Sequence, residues 1–152
     1  MNKEERVIAT NRKARFEYSV LDSFETGIVL TGSEVKSLRQ GAANIQDGYA
    51  YVKGSLVLLN GMHINPYKEA NIFNHDPLRE RNLLLHKSEI KKLSAKIKER
   101  GLTLIPLKLY FKNGLVKVEL GLCKGKAIHD KRQTIIERDA KKSLERLHKK
   151  FK

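Results

Sequence analysis

The stretch from residue 102 to residue 123, LTLIPLKLYFKNGLVKVELGLC, decides the fold class of this chain. Asn113 and Gly114 lie between two apolar runs, and this pair supplies the positive-φ residues of a type I′ turn. Both runs are rich in Val, Leu, Tyr and Phe, which favour β-strands. The pattern predicts an antiparallel hairpin. Pro106 cannot donate a hydrogen bond to a neighbouring strand, so its strand is expected at an edge or with a β-bulge there.

Further strands are predicted before this hairpin. Residues 16–32 alternate apolar and polar side chains and end at a Gly, which is typical of a strand followed by a turn. Residues 48–64 contain two apolar runs joined at Lys53, Gly54 and Ser55, where the Gly permits a tight turn. The sequence therefore predicts a second hairpin.

Two helices are predicted between these strands. The first has Ser33 as N-cap and Gly41 as its end. The second runs from Ser88 to Gly101 and places Ile90, Leu93 and Ile97 on one face. About six short strands with one or two helices indicate a mainly β fold, an OB-like closed β-barrel.

Composition restricts the class of partner. The chain has 152 residues, 40% of them hydrophobic, with a net charge of +14 and a pI near 9.9. This length suits one domain, and this charge favours a nucleic acid or an anionic membrane surface. No apolar run approaches the roughly 18 residues that a membrane span needs, and no signal peptide is apparent. Cys123 has no second Cys, so we expect a reduced strand residue in a cytoplasmic protein.

Three segments differ in character. Residues 1–15 form a basic segment expected to pack on the barrel, residues 16–123 form the OB-like body, and residues 124–152 form a basic tail. The N-terminal cluster of Arg12, Lys13 and Arg15 precedes several aromatic residues. Phe16 and Phe24 are expected in the core. Tyr18 has a polar hydroxyl beside this cluster, so its role as a core or a site residue stays open.

The tail contains 11 Lys and Arg against four Asp and Glu. An apolar stripe repeats at helical spacing in it, formed by Ile136, Ala140, Leu144, Leu147 and Phe151. One reading is a helix that docks on the barrel through this stripe. The other is a segment that is unstructured alone and folds on RNA, where phosphates relieve the charge repulsion. We favour the second, because a thin stripe must offset roughly 1–2 kcal/mol of ordering entropy per residue.

Residues capable of catalysis are scattered along the chain. The candidates are His63, His75, Asp76, His86, His129 and Asp130. No two His residues have the i, i+4 spacing of a helical metal site, and no carboxylate pair or phosphate-binding Gly-rich loop accompanies them. Asp76 and Pro77 are instead predicted to begin a short helix. The sequence therefore predicts a binding protein without a metal, a cofactor or an enzymatic activity.

Five segments carry a resemblance to a known family: NRKARFEY at 11–18, GIVLTGSEVKSLRQG at 27–41, HINPY at 63–67, NHDPLRERNLLLHKSEI at 74–90 and KGKAIHDKR at 124–132. They resemble the small protein B family from about residue 7 to about residue 139. The resemblance implies an OB-fold barrel that grips the tRNA-like end of tmRNA (SsrA RNA) in bacteria. It also implies a tail that enters the empty mRNA channel of a stalled ribosome, contacting small-subunit ribosomal RNA during trans-translation. Elongation factor Tu is an implied further partner, through aminoacylated tmRNA.

The resemblance also assigns site residues. The RNA-gripping residues fall on Asn11, Tyr18 and Glu25, with Leu85 close to the binding surface. The tail residues needed for peptide tagging fall on Gly125, His129, Asp130, Lys131 and Arg132. The basic residues added as candidate contacts are Arg12, Lys13, Arg15 and Lys36 for tmRNA, and Lys124 and Lys126 for the ribosome.

Two other functions remain open on composition. A ribosomal or initiation-factor-like OB module with a basic tail has the same charge distribution. An RNA-processing enzyme would need a metal-ligand set that the sequence lacks. The HDKR block at 129–132 and the extent of the resemblance favour tmRNA binding over both.

Overall fold

The computed structural model describes residues 5–126 and 128–150, apart from the side chains of residues 71, 128–131, 133, 134 and 147–150. The strands are β1 Glu5–Thr10, β2 Tyr18–Ile28, β3 Ala43–Asn44, β4 Tyr49–Lys53, β5 Leu56–Asn60, β6 His63–Ile64, β7 Arg81–Leu84, β8 Thr103–Lys112 and β9 Leu115–Gly125. The helices are α1 Arg12–Glu17, α2 Gly32–Arg39, α3 Lys87–Arg100 and α4 Ile128–Lys150, with a 3₁₀ segment at Lys68–Phe73. Within the described residues, no helix is long and apolar enough to span a membrane.

Six of the strands form a closed ring. The hydrogen-bonded order is β8, β4, β5, β7, β2 and β9, and β9 pairs again with β8. β1 adds to the outer side of β8, and β3 pairs with β6 in a separate small sheet. The prediction of a mainly β, OB-like closed fold with short helices is therefore confirmed. We call these six strands the strand ring.

Within the ring, the two longest strand pairings are β8–β9, which forms a hairpin, and β2–β9. The hairpin runs from Thr103 opposite Cys123 to Lys112 opposite Leu115. Asn113 and Gly114 both have positive φ, at 53° and 79°, as the type I′ turn requires. The register shifts between Pro106 and Lys108, which confirms the predicted bulge.

The ring has two short junctions, β4–β8 and β2–β7, and the second consists of two residue pairs, Gly27 with Leu84 and Ile28 with Leu83. β4 and β8 are paired through a single residue pair, Ala50 with Leu104. β4 pairs along its whole length with β5 on its other side, from Tyr49 opposite Asn60 to Lys53 opposite Leu56. The pairing is therefore extensive along the β8–β9 hairpin and short where β4 meets β8 and where β2 meets β7.

Two apolar clusters fill the molecule. The larger lies inside the ring and includes the fully buried Leu59, Leu104 and Leu120. The smaller lies under α1 and consists of Ala14, Ile105, Leu107 and Cys123. Phe24 packs on the larger cluster, as predicted, and Tyr18 packs on the smaller one. Burial raises the pKa of Cys123 to about 11, so its thiol is protonated at neutral pH.

A buried ion pair connects α2 to β7. Both Glu34 and Arg81 are fully buried, and Arg81 Nε donates to Glu34 Oε2 over 2.5 Å. Arg79 Nη2 donates to Glu34 Oε1 at 2.6 Å, and Arg81 Nη1 donates to the Met62 carbonyl at 2.8 Å. Burial opposes the ionised carboxyl, but these donors hold the pKa of Glu34 below its ordinary value. The network fixes α2 against the ring.

Helix ends agree only partly with prediction. α3 ends at Gly101 in the left-handed conformation, as predicted. For α2 the prediction of Ser33 as N-cap is wrong: Thr31 accepts from the Glu34 amide, and the Glu34 carboxylate accepts from the Thr31 amide, which is a capping box two residues earlier. Asp76 caps a turn through a 3.0 Å bond from the Leu78 amide, so the predicted short helix there is also wrong. The chain must extend into β7 only a few residues later.

Candidate nucleic-acid interface

Helix α1 carries the N-terminal basic cluster, and Asn11 fixes its position. The Asn11 side chain accepts from the Ala14 amide at 3.0 Å and donates to the carbonyls of Ile45 and Pro106 at 3.2 and 2.9 Å. Its own amide donates to the Leu107 carbonyl at 2.9 Å. Asn11 is 2% exposed, and both protons of its amide group are engaged. Its geometry favours anchoring of α1 to β8 over the predicted direct contact with a base.

The exposed face of α1 is basic. Arg12, Lys13 and Arg15 are all exposed on this six-residue helix, which has no acidic residue in its first turn. Lys13 Nζ lies 3.4 Å from Asp47 Oδ1, and both side chains are at least half exposed, so this pair is weak. The cluster therefore retains a positive face that can meet phosphates.

A polar pocket of about 310 Å³ lies beside this face. Tyr18 and Tyr49 line it together with Lys13, Asp47 and Thr103. Tyr18 is half-buried, with its ring on the cluster under α1, while Tyr49 is 47% exposed. The structure thus brings together an aromatic surface and cations, a combination that suits unstacked bases and the adjoining phosphates.

Glu25 lies at a different place on β2. Tyr110 donates to Glu25 Oε2 at 2.6 Å, and Lys112 Nζ donates to the same oxygen at 3.0 Å. The Tyr110 bond first, and then the Lys112 bond, lower the pKa of Glu25, which is therefore ionised at neutral pH. Seven residues along β2 separate Glu25 from Tyr18, which corresponds to roughly 20 Å of strand. The predicted RNA contacts consequently form two groups.

Leu85 and Lys36 lie apart from α1. Leu84 pairs with Gly27 on β2, so Leu85 follows β7 close to the Glu25 side of the ring, where it is half-buried against the core. Lys36 is exposed on α2, with its ammonium 5.7 Å from the ring centroid of Tyr67. Leu85 therefore joins the group around Glu25, whereas Lys36 belongs to neither group.

The start of the tail lies against α1. β9 continues to Gly125, which pairs with Tyr18, and Lys124 pairs with Ser19. The Lys126 amide donates to the Glu17 carbonyl at 2.9 Å, and its Nζ donates to the Arg15 carbonyl at 3.2 Å. The first three tail candidates thus adjoin the basic cluster.

In contrast to the start of the tail, helix α4 has its described side chains exposed. Arg132 and residues 135–146 have exposed side chains, with Ile136 at 61% and Leu144 at 67%. Arg138 approaches the body, with its guanidinium 5.7 Å from the ring centroid of half-buried Phe16. The described part of the apolar stripe is therefore not docked on the ring. His129, Asp130 and Lys131 lie within α4, but their side chains fall outside the described set.

His75, one of the candidate catalytic residues, has a structural role. His75 Nδ1 lies 2.9 Å from Ser33 Oγ, and its Nε2 lies 3.0 Å from the Ile64 carbonyl. Because a carbonyl only accepts, Nε2 carries a proton and donates it to Ile64, so both ring nitrogens are engaged within the fold. Among the described residues there is no group of three or more His, Cys, Asp or Glu that could hold a metal ion.

The family model for the SmpB protein matches residues 8–150 of this sequence. This chain belongs to the SmpB family. An SsrA-binding protein of Acetivibrio thermocellus is 54% identical over 143 residues, covering 94% of this chain and 93% of the relative. One of Alkaliphilus oremlandii is 57% identical over 145 residues, covering 95% and 94%. The family resemblance expected from the sequence is confirmed.

A solved structure agrees with this assignment. It is described as "tmRNA-SmpB: a journey to the center of the bacterial ribosome", and its matching chain is 44% identical, with a TM-score of 0.66. The match covers 79% of this chain and 85% of that one. Fold and family are therefore established by independent comparisons of sequence and of structure.

Sequence reasoning missed two features of the interface. It did not predict α1 as a helix, although Asn11 before a run without Pro or Gly is a helix-capping signal. It did not single out Tyr49 either, because the closeness of Tyr49 to Tyr18 arises from strand pairing and not from sequence distance.

Proposed function

We propose that this chain binds SsrA RNA (tmRNA) and acts with it on stalled ribosomes in trans-translation. One observation carries the proposal. An exposed helix with three cations is fixed to the strand ring beside Tyr18, in a chain 54% identical to an SsrA-binding protein along nearly its whole length. The basic helix supplies phosphate contacts, and Tyr18 and Tyr49 supply faces for unstacked bases.

The site residues act in distinct ways in this proposal. Arg12, Lys13 and Arg15 contact phosphates, and Asn11 acts through the position of α1. On the other side of the ring, Glu25 accepts from a base amino group, since an ionised carboxylate repels phosphate. Leu85 contributes apolar surface there, and Lys36 on α2 adds a phosphate contact at the margin.

The tail occupies the vacant mRNA channel near the decoding centre in this proposal. His129 stacks on a ribosomal base, Lys131 and Arg132 meet phosphates, and Asp130 orients the helix start. Lys124, Gly125 and Lys126 join this segment to the tmRNA-bound body. The exposed described side chains of α4 support such a role, because they are available to a partner.

The protein itself performs no chemistry in this role. Aminoacylated tmRNA brings elongation factor Tu as a further partner, and the work takes place on ribosomes in the bacterial cytoplasm. The chain thus forms three functional parts, the N-terminal basic segment of residues 1–15, the RNA-binding body of residues 16–123 and the ribosome-directed tail of residues 124–152.

A binding titration tests the proposal. Neutralising α1 by Arg12→Gln, Lys13→Gln and Arg15→Gln should weaken binding to the tRNA-like domain of tmRNA by at least tenfold at 0.15 M salt. For wild type, five to eight neutralised phosphates predict a slope of log affinity against log salt of about −4 to −7. The matched control carries Lys141→Gln, Lys142→Gln and Arg146→Gln, the same charge change in exposed positions of α4.

A tail deletion separates the two RNA partners. Truncation after Lys126 keeps β9 and the bonds from Lys126 to α1. We expect this variant to bind tmRNA within about tenfold of wild type, a difference of roughly 1.4 kcal/mol, and to fail in peptide tagging. Equal affinity of wild type for tmRNA and for an unrelated RNA of the same length would overturn the proposal.

A further inference from the structure

A groove lies beside the β4–β8 junction of the strand ring. Where β4 and β8 are joined only through Ala50 and Leu104, a pocket of about 340 Å³ lies between β4 and the end of α3. Its lining includes Tyr49, Tyr51 and Lys98.

This groove adjoins the pocket beside α1, because Tyr49 and Thr103 line both. In the other direction, Ser94 and Lys98 line the groove and also a third pocket, of about 470 Å³, between α3 and the β4–β5 turn. We call this row of three adjoining pockets, from Lys13 on α1 past the two tyrosines to α3, the track.

The α3 end of the track is basic. Lys87, Lys91 and Lys98 line it, at spacings of four and seven residues that place them on one side of the helix. Lys92 and Lys96 are exposed on the same helix but line none of these three pockets. One side of α3 thus continues the positive surface that begins at α1.

Two aromatic rings lie midway along the track. The ring centroids of Tyr49 and Tyr51 are 6.4 Å apart with planes inclined by 32°. The Tyr51 hydroxyl donates to Glu80 Oε2 at 2.6 Å, and Asn60 Nδ2 donates to the same oxygen at 3.1 Å, so the Tyr51 ring is held in place. Neighbouring aromatic rings flanked by cations are the arrangement by which proteins bind single-stranded nucleic acid.

We propose that the tmRNA-binding surface extends beyond α1 along this track, where a single-stranded RNA segment stacks on Tyr49 and Tyr51 and places phosphates at Lys91 and Lys98. The inference rests on the proposed function and adds a second contact region to it. Glu17 and Asp47 line the pocket beside α1, where Asp47 pairs with Lys13, and Glu80 bonds to Tyr51 and Asn60. Lys13, Lys87, Lys91 and Lys98 outnumber these three carboxylates, and this excess of positive charge favours an anionic ligand such as RNA.

Paired lysine variants test the phosphate contacts. Lys91→Gln with Lys98→Gln should weaken binding of the tRNA-like domain about tenfold at 0.15 M salt and make the salt slope less steep by roughly 1.4 to 1.8. Lys92→Gln with Lys96→Gln makes the same charge change on the other side of α3, and should leave the slope within about 0.5 of wild type. Equal effects of the two pairs would overturn the proposal.

Tyrosine variants test the stacking. Tyr51→Leu should weaken tmRNA binding about tenfold, since one stacked base contributes on the order of a five- to hundredfold change. Tyr51→Phe keeps the ring and loses only the Glu80 bond, so it should bind within about threefold of wild type. Unchanged binding by Tyr51→Leu would overturn the stacking, and so would an equal loss in Tyr51→Phe. Circular dichroism of each variant verifies its fold.

The two proposals fail in different ways. If wild type shows no preference for tmRNA, the proposed function is wrong and the track loses its ligand. If wild type prefers tmRNA and neutralised α1 weakens binding, but the Lys91 and Lys98 pair behaves like its control, the function stands and the track is wrong.

Discussion

The strand ring and helix α4 differ in how their side chains are stabilised. Where helix α2 meets the ring, Glu34 and Arg81 are both fully buried and bond to each other and to surrounding backbone carbonyls and amides. In α4, all described side chains are exposed, and Arg138 contacts the body over the ring of Phe16. Contacts within the protein hold the strand ring and α2 in place. The exposed side chains of α4 are instead available to a binding partner.

This difference has a functional consequence. A surface that must recognise a folded RNA benefits from being held rigid before binding, because less ordering entropy is lost. A segment that must enter a ribosomal channel benefits from few contacts with its own body. Separate perturbation of the two regions should therefore give separate losses.

The largest expected effect is the loss of the buried ion pair. Glu34→Ala leaves the guanidinium of Arg81 buried without its carboxylate, and removal of one partner of such a pair costs about 3–5 kcal/mol. Urea unfolding of the body should show this loss. Glu99→Ala, which removes an exposed carboxylate from α3, should change stability by less than about 0.5 kcal/mol. An equal stability in the two variants would mean that the pair does not hold the ring.

The same ion pair should also make the stability of the protein depend on pH. The pKa of Glu34 lies below 4.5 in the folded chain, so its contribution is fully present above pH 4.5 and is lost as pH falls through the folded value. In Glu34→Ala this part of the acid sensitivity should be missing. Unfolding measured from pH 6 downward in both proteins checks the sign.

The well-predicted elements are those with local signals. The β8–β9 turn follows from two adjacent residues, Asn113 and Gly114, and the end of α3 follows from Gly101. β1 has no comparable signal, because its stability comes from pairing with β8, about 100 residues later, as in the bond from Lys108 to Glu5. Long-range partners decide such elements, and a single sequence does not name them.

Prediction of the site residues from the sequence has the same limit, because local patterns do not show which distant residues come into contact. Charge alone identified Arg12, Lys13 and Arg15, and the structure places them on one exposed face. Arg81 lies in the charged segment RERN at 79–82, and nothing local indicates that its partner is Glu34, 47 residues earlier. Asn11 was assigned to RNA contact through the family resemblance, and only its hydrogen bonds reveal the anchoring of α1.

A smaller effect, confined to the tail, is expected from Ile136→Pro. Proline removes a backbone hydrogen bond and clashes with the preceding turn, which costs a helix about 3 kcal/mol. Ile136 is 61% exposed, so no packing with the ring is lost. We expect unchanged body stability and tmRNA affinity, with peptide tagging on stalled ribosomes reduced by at least tenfold.

The control for this variant is Ile136→Ala, which keeps the helix and removes the apolar side chain. Near-normal tagging by Ile136→Ala together with poor tagging by Ile136→Pro would identify helical shape as the requirement. Normal tagging by Ile136→Pro would contradict our expectation that the tail works as a helix folded on ribosomal RNA, and would leave it as an electrostatic tether. A helical signal from the isolated tail peptide in water would contradict the expectation that the tail is unstructured alone.

The smallest effect concerns the contact between the two regions. An exposed cation–π pair such as Arg138 with Phe16 contributes about 0.5–1 kcal/mol. A double-mutant cycle of Arg138→Gln and Phe16→Leu, measured by urea unfolding, should give a coupling energy in that range. Lys141→Gln replaces Arg138→Gln in the control cycle, because it removes the same charge from an exposed position of α4. A coupling below about 0.3 kcal/mol in both cycles would mean that the tail is energetically independent of the body. A coupling well above 1 kcal/mol would instead mean that α4 is docked before it meets the ribosome, because a single exposed pair cannot supply that energy.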